Sequence, residues 1–327
     1  MGAEVTLHGE PARFARGFQR VGEETWAWLQ PNGVLGESNA GLVASGQHVL
    51  LVDTLWDLAL TRRMLAAARD LVDAAPEIVV NTHSDGDHVW GNQLLRGARI
   101  VSTETAKVLM TLDKPADLRR LKRLGRLIRP LGREMAPFDW GGVELTLPTE
   151  TFEGEIELAV GERRLRLIEV GPAHTAGDAV VWVPDVSVCF AADILFVGCT
   201  PITWAGPLAG WLAAIDRISA LGATTFVPGH GPVCDQAAVD LLRQYLEWAR
   251  SEGGALLDRG VAPAKAAREL LLSEEFKTLP WAQWDDPTRL VITLSTEAYR
   301  REGGEGHLAG FGRTKAIMQM QRLKAKL

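Results

Sequence analysis

The stretch that decides the fold is "NTHSDGDHVWGNQLL", residues 81–95. It places His83, Asp85, Asp87 and His88 within six positions, in a chain that has only seven histidines. Taken alone, an H-x-D-x-D-H run is also what an aspartate-rich capping turn looks like, because Asp favours turns. What lies before and after it decides between the readings. "EIVV" (77–80) is a short apolar run that reads as a buried strand, so the histidines sit on a loop at a strand's C-terminal end. Ligands and catalytic groups collect at such places in α/β layers.

Three further loops repeat this arrangement: "GPAHTAGD" (171–178), "CFAADILF" (189–196) and "VPGHGPV" (227–233). Together they contribute His174, Asp193 and His230. Imidazole and carboxylate are the usual ligands of zinc, iron and manganese. A pair of such ions sharing a solvent molecule needs about seven protein ligands. His83, Asp85, Asp87, His88, His174, Asp193 and His230 make that set. Alternate residues of a loop can face one side while their neighbours face another, so His83 and Asp85 can serve one ion while Asp87 and His88 serve the other. Gly86 is expected to supply unusual backbone angles in the crowded turn. His48 and His307, outside these loops, read as satisfied core residues.

Around these loops, "AGLVAS" (40–45) and "HVLLVDT" (48–54) read as strands, and 58–75 reads as a helix with one apolar side. Residues 114–133 carry eight basic residues and one acid, Asp117. Leu118, Leu121, Leu124 and Ile128 recur there at helical spacing, and the helix should stop near Pro130. This basic segment fills a long gap between His88 and His174. It reads either as a solvated face or as a cap that attracts an anionic substrate. Strands are expected at 143–148, 154–160, 163–170, 179–184, 186–193 and 224–228, with a helix at 211–222. From about residue 236 the pattern is helical.

The chain resembles the metallo-β-lactamase superfamily over roughly residues 35–235. That family's H-x-H-x-D-H appears here as "HSDGDH", followed by "GPAHTAGD", "FAADILF" and "PGHGPV". The resemblance implies an α+β fold, an αββα sandwich of the metallo-β-lactamase type with a C-terminal helical extension. It divides the chain into a metallo-β-lactamase-like domain at 1–235, with a basic helical insert at about 104–135, and a helical extension at 236–327 packed on the core. It also implies two divalent metal ions, zinc first with iron or manganese open. His83, Asp85 and His174 would hold one, Asp87, His88 and His230 the other, and Asp193 would bridge. A hydroxide between the metals would attack the carbonyl of an ester, thioester, lactone or β-lactam, with Asp87 or Asp85 moving the proton. Thr82, Thr175, Asp178 and Asp53 are candidates for orienting the ligating histidines.

One position departs from the family: its second histidine is Asp85 here. Some flavodiiron oxygen reductases in the superfamily carry a carboxylate at this place. A di-iron redox protein of the same fold is therefore an alternative, as is a phosphoester or sulfate-ester hydrolase. Against the redox reading, no flavin-binding domain follows residue 236. Trp90, Trp204 and Trp211 read as either pocket lining or core. The C-terminal helices could form a homodimer interface or the back wall of the pocket.

The remaining indicators exclude other classes. A net charge of −6, from 35 basic and 41 acidic residues, disfavours nucleic acid as a partner. No apolar run is long enough to span a bilayer. The N-terminus lacks a secretion pattern, and the three cysteines form no C-x-x-C pair. These features point to a soluble, cytoplasmic protein; a small-molecule substrate is what the resemblance implies.

Overall fold

A computed structural model describes residues 4–33, 35–124, 129–308 and 310–327. Two mixed sheets face each other. The first has strands β1 (Gly17–Gly22), β2 (Thr25–Leu29), β3 (Ala40–Ser45), β4 (His48–Val52), β5 (Ile78–Val80), β6 (Arg99–Thr103) and β7 (Glu150–Phe152), in that spatial order. Pairing is antiparallel from β1 to β4 and parallel from β4 to β7. The second sheet runs β12 (Thr225–His230), β11 (Val188–Phe196), β10 (Ala179–Val183), β9 (Arg163–Glu169), β8 (Glu155–Val160). Only β11 and β12 are parallel there.

The period-2 alternation of a strand sorts side chains into separate layers. On β3 and β4, Val43, Leu50 and Val52 point between the sheets. They meet Leu165, Leu167, Val181 and Phe190 from the second sheet. Their neighbours Leu42, Ala44, Val49 and Leu51 point the other way, onto the first helical layer. Each such fully buried aliphatic side chain contributes roughly 1.5–3 kcal/mol. The result is α/β/β/α layering with mixed sheets.

Helix α1 (Leu58–Ala68) covers the first sheet; Asp57 caps it by accepting the Leu60 N–H at 2.8 Å. It ends at Ala68 rather than 75. The chain then turns through Arg69–Ala75 toward Pro76, which disfavours helical backbone just before it. Residues 143–148 form no strand. Val143, Leu145 and Leu147 pack on the first helical layer instead, and the edge strand is β7. The first layer also holds α2 (Gly86–Val89), α3 (Glu104–Met110), α4 (Pro115–Leu124) and α5 (Arg129–Met135). Residues 125–128, Ile128 among them, lie outside the described residues.

The second sheet is covered by α6 (Leu208–Ser219), α7 (Gln236–Trp248), α8 (Gly254–Asp258), α9 (Pro263–Leu271), α10 (Leu290–Arg301) and α11 (Gly310–Lys324). One continuous core joins Trp182, Ala191 and Ile215 to Leu246, Leu294 and Met320. The C-terminal helices thus share the second sheet's core. Among the described residues, no helix is long and apolar enough to cross a membrane.

Candidate metal centre

The site forms where strands of both sheets end. β5 leads through Asn81 and Thr82 into His83, and α2 begins directly after Asp85. Gly86 does not have left-handed backbone angles. Its requirement is space, because a Cβ there would lie 2.5 Å from the Trp90 ring. In the second sheet, the β11–β12 register shifts at Ala192, whose φ is 46°. This bulge turns Asp193 toward the histidines. Gly229 on β12 leaves room for it, since a Cβ there would fall 1.8 Å from Asp193 Oδ1.

All seven sequence-selected residues converge. Within each of the groups His83–Asp85–His174 and Asp87–His88–His230, one ligand atom per residue lies within 4.8 Å of the others. Asp193 stands between the groups. Its carboxylate lies 3.1 Å from His88 Nε2, 3.3 Å from His174 Nε2, 3.6 Å from His230 Nε2 and 3.9 Å from His83 Nε2. Asp53, His83 and His88 form a third group of ligand type. There, however, the Asp53 carboxylate is occupied by Thr82, whose N–H and hydroxyl donate at 2.8 and 2.6 Å.

The ring orientations are set from behind. His88 Nδ1 donates to Asp53 Oδ2 at 2.9 Å, and His174 Nδ1 donates to the Ile202 carbonyl at 2.6 Å. Thr82 Oγ1 meets His83 Nδ1 at 3.0 Å. Each contact turns the Nε2 edge inward. Asp178 instead closes its own turn, accepting from the Thr175 N–H and hydroxyl. Neither Thr175 nor Asp178 orients the His174 ring directly.

Electrostatics follow from packing four imidazoles among three carboxylates. Burial lowers His174, but Asp193 and Asp85 outweigh it and hold the ring up at about 9. Burial also opposes charge on His88, yet Asp193 and Asp87 hold it well above the ordinary range. Burial and the His88 charge keep His83 well below its usual value. Burial pushes His230 down to about 3. Burial raises Asp87 to about 6. For Asp193 the surrounding histidines overcome burial and hold the carboxyl low. Protons thus neutralise a site built for cations. His83 Nε2, His88 Nε2 and Asp193 Oδ1 are buried with no hydrogen-bond partner. Such orphaned atoms are costly in a folded protein. Together with the mixed imidazole and carboxylate donors, they fit divalent metal.

The cluster floors a cavity of about 430 Å³. Trp56, Trp90, Phe196 and Trp204 wall it, and Leu118 and Ile317 reach it from α4 and α11. Trp211 is fully buried core, donating its indole N–H to the Ile194 carbonyl. The basic segment borders the mouth through Lys114 and Asp117. Two of its cations turn inward, however, Arg119 to the Trp140 carbonyl and Lys122 to those of Ala136 and Phe138. Sequence reasoning missed Arg289 and Arg313, which also line the cavity. They carry no local motif, and only the tertiary fold brings them there. His48 is not core: it is exposed and pairs with Glu77 at 2.8 Å. As an end residue of β4 its side chain escapes to solvent. His307 accepts the Ala176 N–H at 2.9 Å, beside the His174 loop.

Known proteins share this framework. A "Beta-lactamase-like protein 2 homolog" of Caenorhabditis elegans is 25% identical over 216 residues, 64% of this chain and 61% of its own. A "Linear primary-alkylsulfatase" of a Pseudomonas species is 18% identical over 265 residues, 71% and 49% respectively. The chain therefore spans only about half to three-fifths of those two relatives. A "Hydroxyacylglutathione hydrolase" of Methylococcus capsulatus is 26% identical over 216 residues, 64% of this chain and 69% of its own. Among solved structures, a metallo-beta-lactamase from Pontibacter korlensis superposes with a TM-score of 0.56 at 19% identity, covering 71% of this chain and 99% of that one. The mono-zinc form of FIM-1 from Pseudomonas aeruginosa gives 0.53 at 21%, covering 73% and 98%. The metallo-beta-lactamase superfamily profile matches residues 33–230, the span that carries all seven clustered residues. With that match across more than half its length and the αββα layering that surrounds the cluster, this chain belongs to the metallo-beta-lactamase superfamily.

Proposed function

We propose that this chain is a metal-dependent hydrolase of a small carbonyl substrate: an ester, thioester, lactone or β-lactam. The observation that carries this reading is the double triad with Asp193 between its halves, at the floor of an apolar-walled cavity. His83, Asp85 and His174 would hold one divalent ion, and Asp87, His88 and His230 a second. Zinc is the first choice, with iron or manganese as alternatives. When bound, such ions lower the pKa of water toward neutrality and polarise a carbonyl oxygen.

The chain's own residues supply the rest. Asp87 lines the cavity, where its carboxylate stands within reach of a bound substrate and could pass a proton to the leaving group. Asp85 is committed to His174 and to the Trp204 indole, which favours a ligand role over a proton-transfer role. Trp56, Trp90 and Ile317 limit water and offer apolar contact to an acyl or alkyl group.

Sulfate-ester hydrolysis is the second reading. Similarity to an alkylsulfatase supports it, as do Arg289 and Arg313 in the cavity wall, which suit an anionic group. A screen of metal-loaded protein over thioester, lactone, β-lactam, sulfate-ester and phosphoester substrates separates the readings, with His88→Ala as control. Turnover that persists in His88→Ala would refute the metal assignment. Protein that loads iron and consumes oxygen without hydrolysis would favour the di-iron alternative.

A further inference from the structure

We propose that Trp204 is a positioning residue that aims the Asp85 carboxylate within the first triad. The inference rests on that triad holding a metal ion. Asp85 stands where the family pattern has histidine. An imidazole offers one fixed Nε2, whereas a carboxylate offers two oxygens and turns freely, so it needs a restraint. Asp85 occupies the N-cap position of α2, yet its side chain makes no capping bond to the helix. Its Oδ2 instead accepts the Trp204 indole N–H at 3.1 Å and lies 3.2 Å from His174 Nε2.

The same segment restrains His174. The Trp204 main-chain N–H donates to the His174 carbonyl at 2.8 Å, while the Ile202 carbonyl takes His174 Nδ1–H. Residues 202–204 thereby fix two of the three members of the triad. Trp204 is itself fixed from the C-terminal side. Leu308 N–H donates to its carbonyl at 2.7 Å, and the Arg313 guanidinium sits 4.2 Å from the centre of its ring. Arg313 in turn pairs with Asp113 at 2.8 Å.

An indole N–H only donates. It pins one carboxylate oxygen and draws off part of its charge, offsetting the extra anion that aspartate brings in place of histidine. It leaves the other oxygen free of this bond.

The test is a zinc titration of metal-free protein against a competing chelator, on wild type, Trp204→Phe, Asp85→Ala and the double variant. Trp204→Phe should weaken one of two binding steps by about 10–100-fold, the usual effect of losing a ligand's supporting partner. The other step should stay within about twofold by the same reasoning. In the Asp85→Ala background, adding Trp204→Phe should change nothing further. Unchanged constants in Trp204→Phe would overturn the proposal, as would an equal loss in both backgrounds, which would mark a packing effect. Wild-type protein that binds no zinc would sink the metal reading instead. If Trp204→Phe does not fold, nitrogen-15 spectra of Asp85→Ala decide: one indole N–H signal should shift and exchange faster, and a set of unmoved indole signals would refute the contact.

Discussion

Asp53 Oδ2 and His88 Nδ1 meet at 2.9 Å, both shut away from solvent. A carboxylate only accepts, so Nδ1 carries a proton and Nε2 is the ring atom turned toward Asp193. Asp53 has a φ of 61°, a conformation that asparagine also tolerates. Asp53→Asn should therefore fold. Its amide would present a donor to Nδ1 and move the ring proton to Nε2. Metal affinity should fall by about 10–100-fold, read by chelator competition. Affinity within a factor of two of wild type would show that Asp53 does not set the tautomer.

Gly229 and Asp193 share a second tight relationship. An alanine Cβ at 229 would sit 1.8 Å from Asp193 Oδ1 and 2.8 Å from the Ala192 carbonyl carbon and the Asp193 nitrogen. The backbone atoms cannot swing away as a side-chain tip can. Gly229→Ala should lose about 1–3 kcal/mol of stability and most bound metal. Gly97→Ala is the control, because nothing lies within 4 Å of a Cβ there. Metal analysis and thermal melts on the pair would check this, and equal metal content in both would contradict it.

His307 gives the pH dependence a sign. Burial, aided by Arg313 and His174, pushes it down to about 4 against the pull of Asp85. The unfolded chain has the ordinary value near 6.5 and takes up its proton first. Stability from this group is thus full above about pH 6.5 and falls as pH drops from there through 4. The loss should be about 2–3 kcal/mol after discounting for its partly open side. His307→Gln, whose amide oxygen can still accept the Ala176 N–H, should flatten that slope in denaturant melts between pH 7 and 4. An unchanged slope would show that other groups dominate.

Metal removal should destabilise the fold. The cluster packs three carboxylates with four imidazoles, two of which sit in their raised, protonated range without a cation. Metal at a hundredfold over its dissociation constant adds about 2.7 kcal/mol. For a chain of 327 residues that corresponds to roughly 4 °C in melting temperature. Calorimetry with and without a chelator measures it, and a shift below one degree would argue against metal held by these residues.

The ligand-bearing loops were legible because each carries its own chemistry: "HSDGDH" and "PGHG" announce themselves without knowledge of the fold. The central strands were legible from apolar runs. β1 and β2 were not, since "GFQRVG" lacks an apolar alternation and "TWAWL" is short. Residues 143–148 alternate like a strand, yet no partner edge reaches them. Gly86 was legible as necessary, but for the wrong reason: the neighbouring ring, not the backbone angle, demands it. Trp204 could be selected as cavity lining, while its hydrogen bond to Asp85 spans 119 positions and leaves no local trace. Arg289 and Arg313 follow the same logic.

The second sheet's outer face and the helices after residue 236 are packed into a single interior. A graft that exchanged the tail for that of a relative would therefore also exchange part of the reaction chamber, Arg289, Arg313 and Ile317 included. Divergence in this family member need not rewrite the ligand loops at all: new selectivity can be acquired by drift in a region some sixty residues downstream of the last ligand-type histidine.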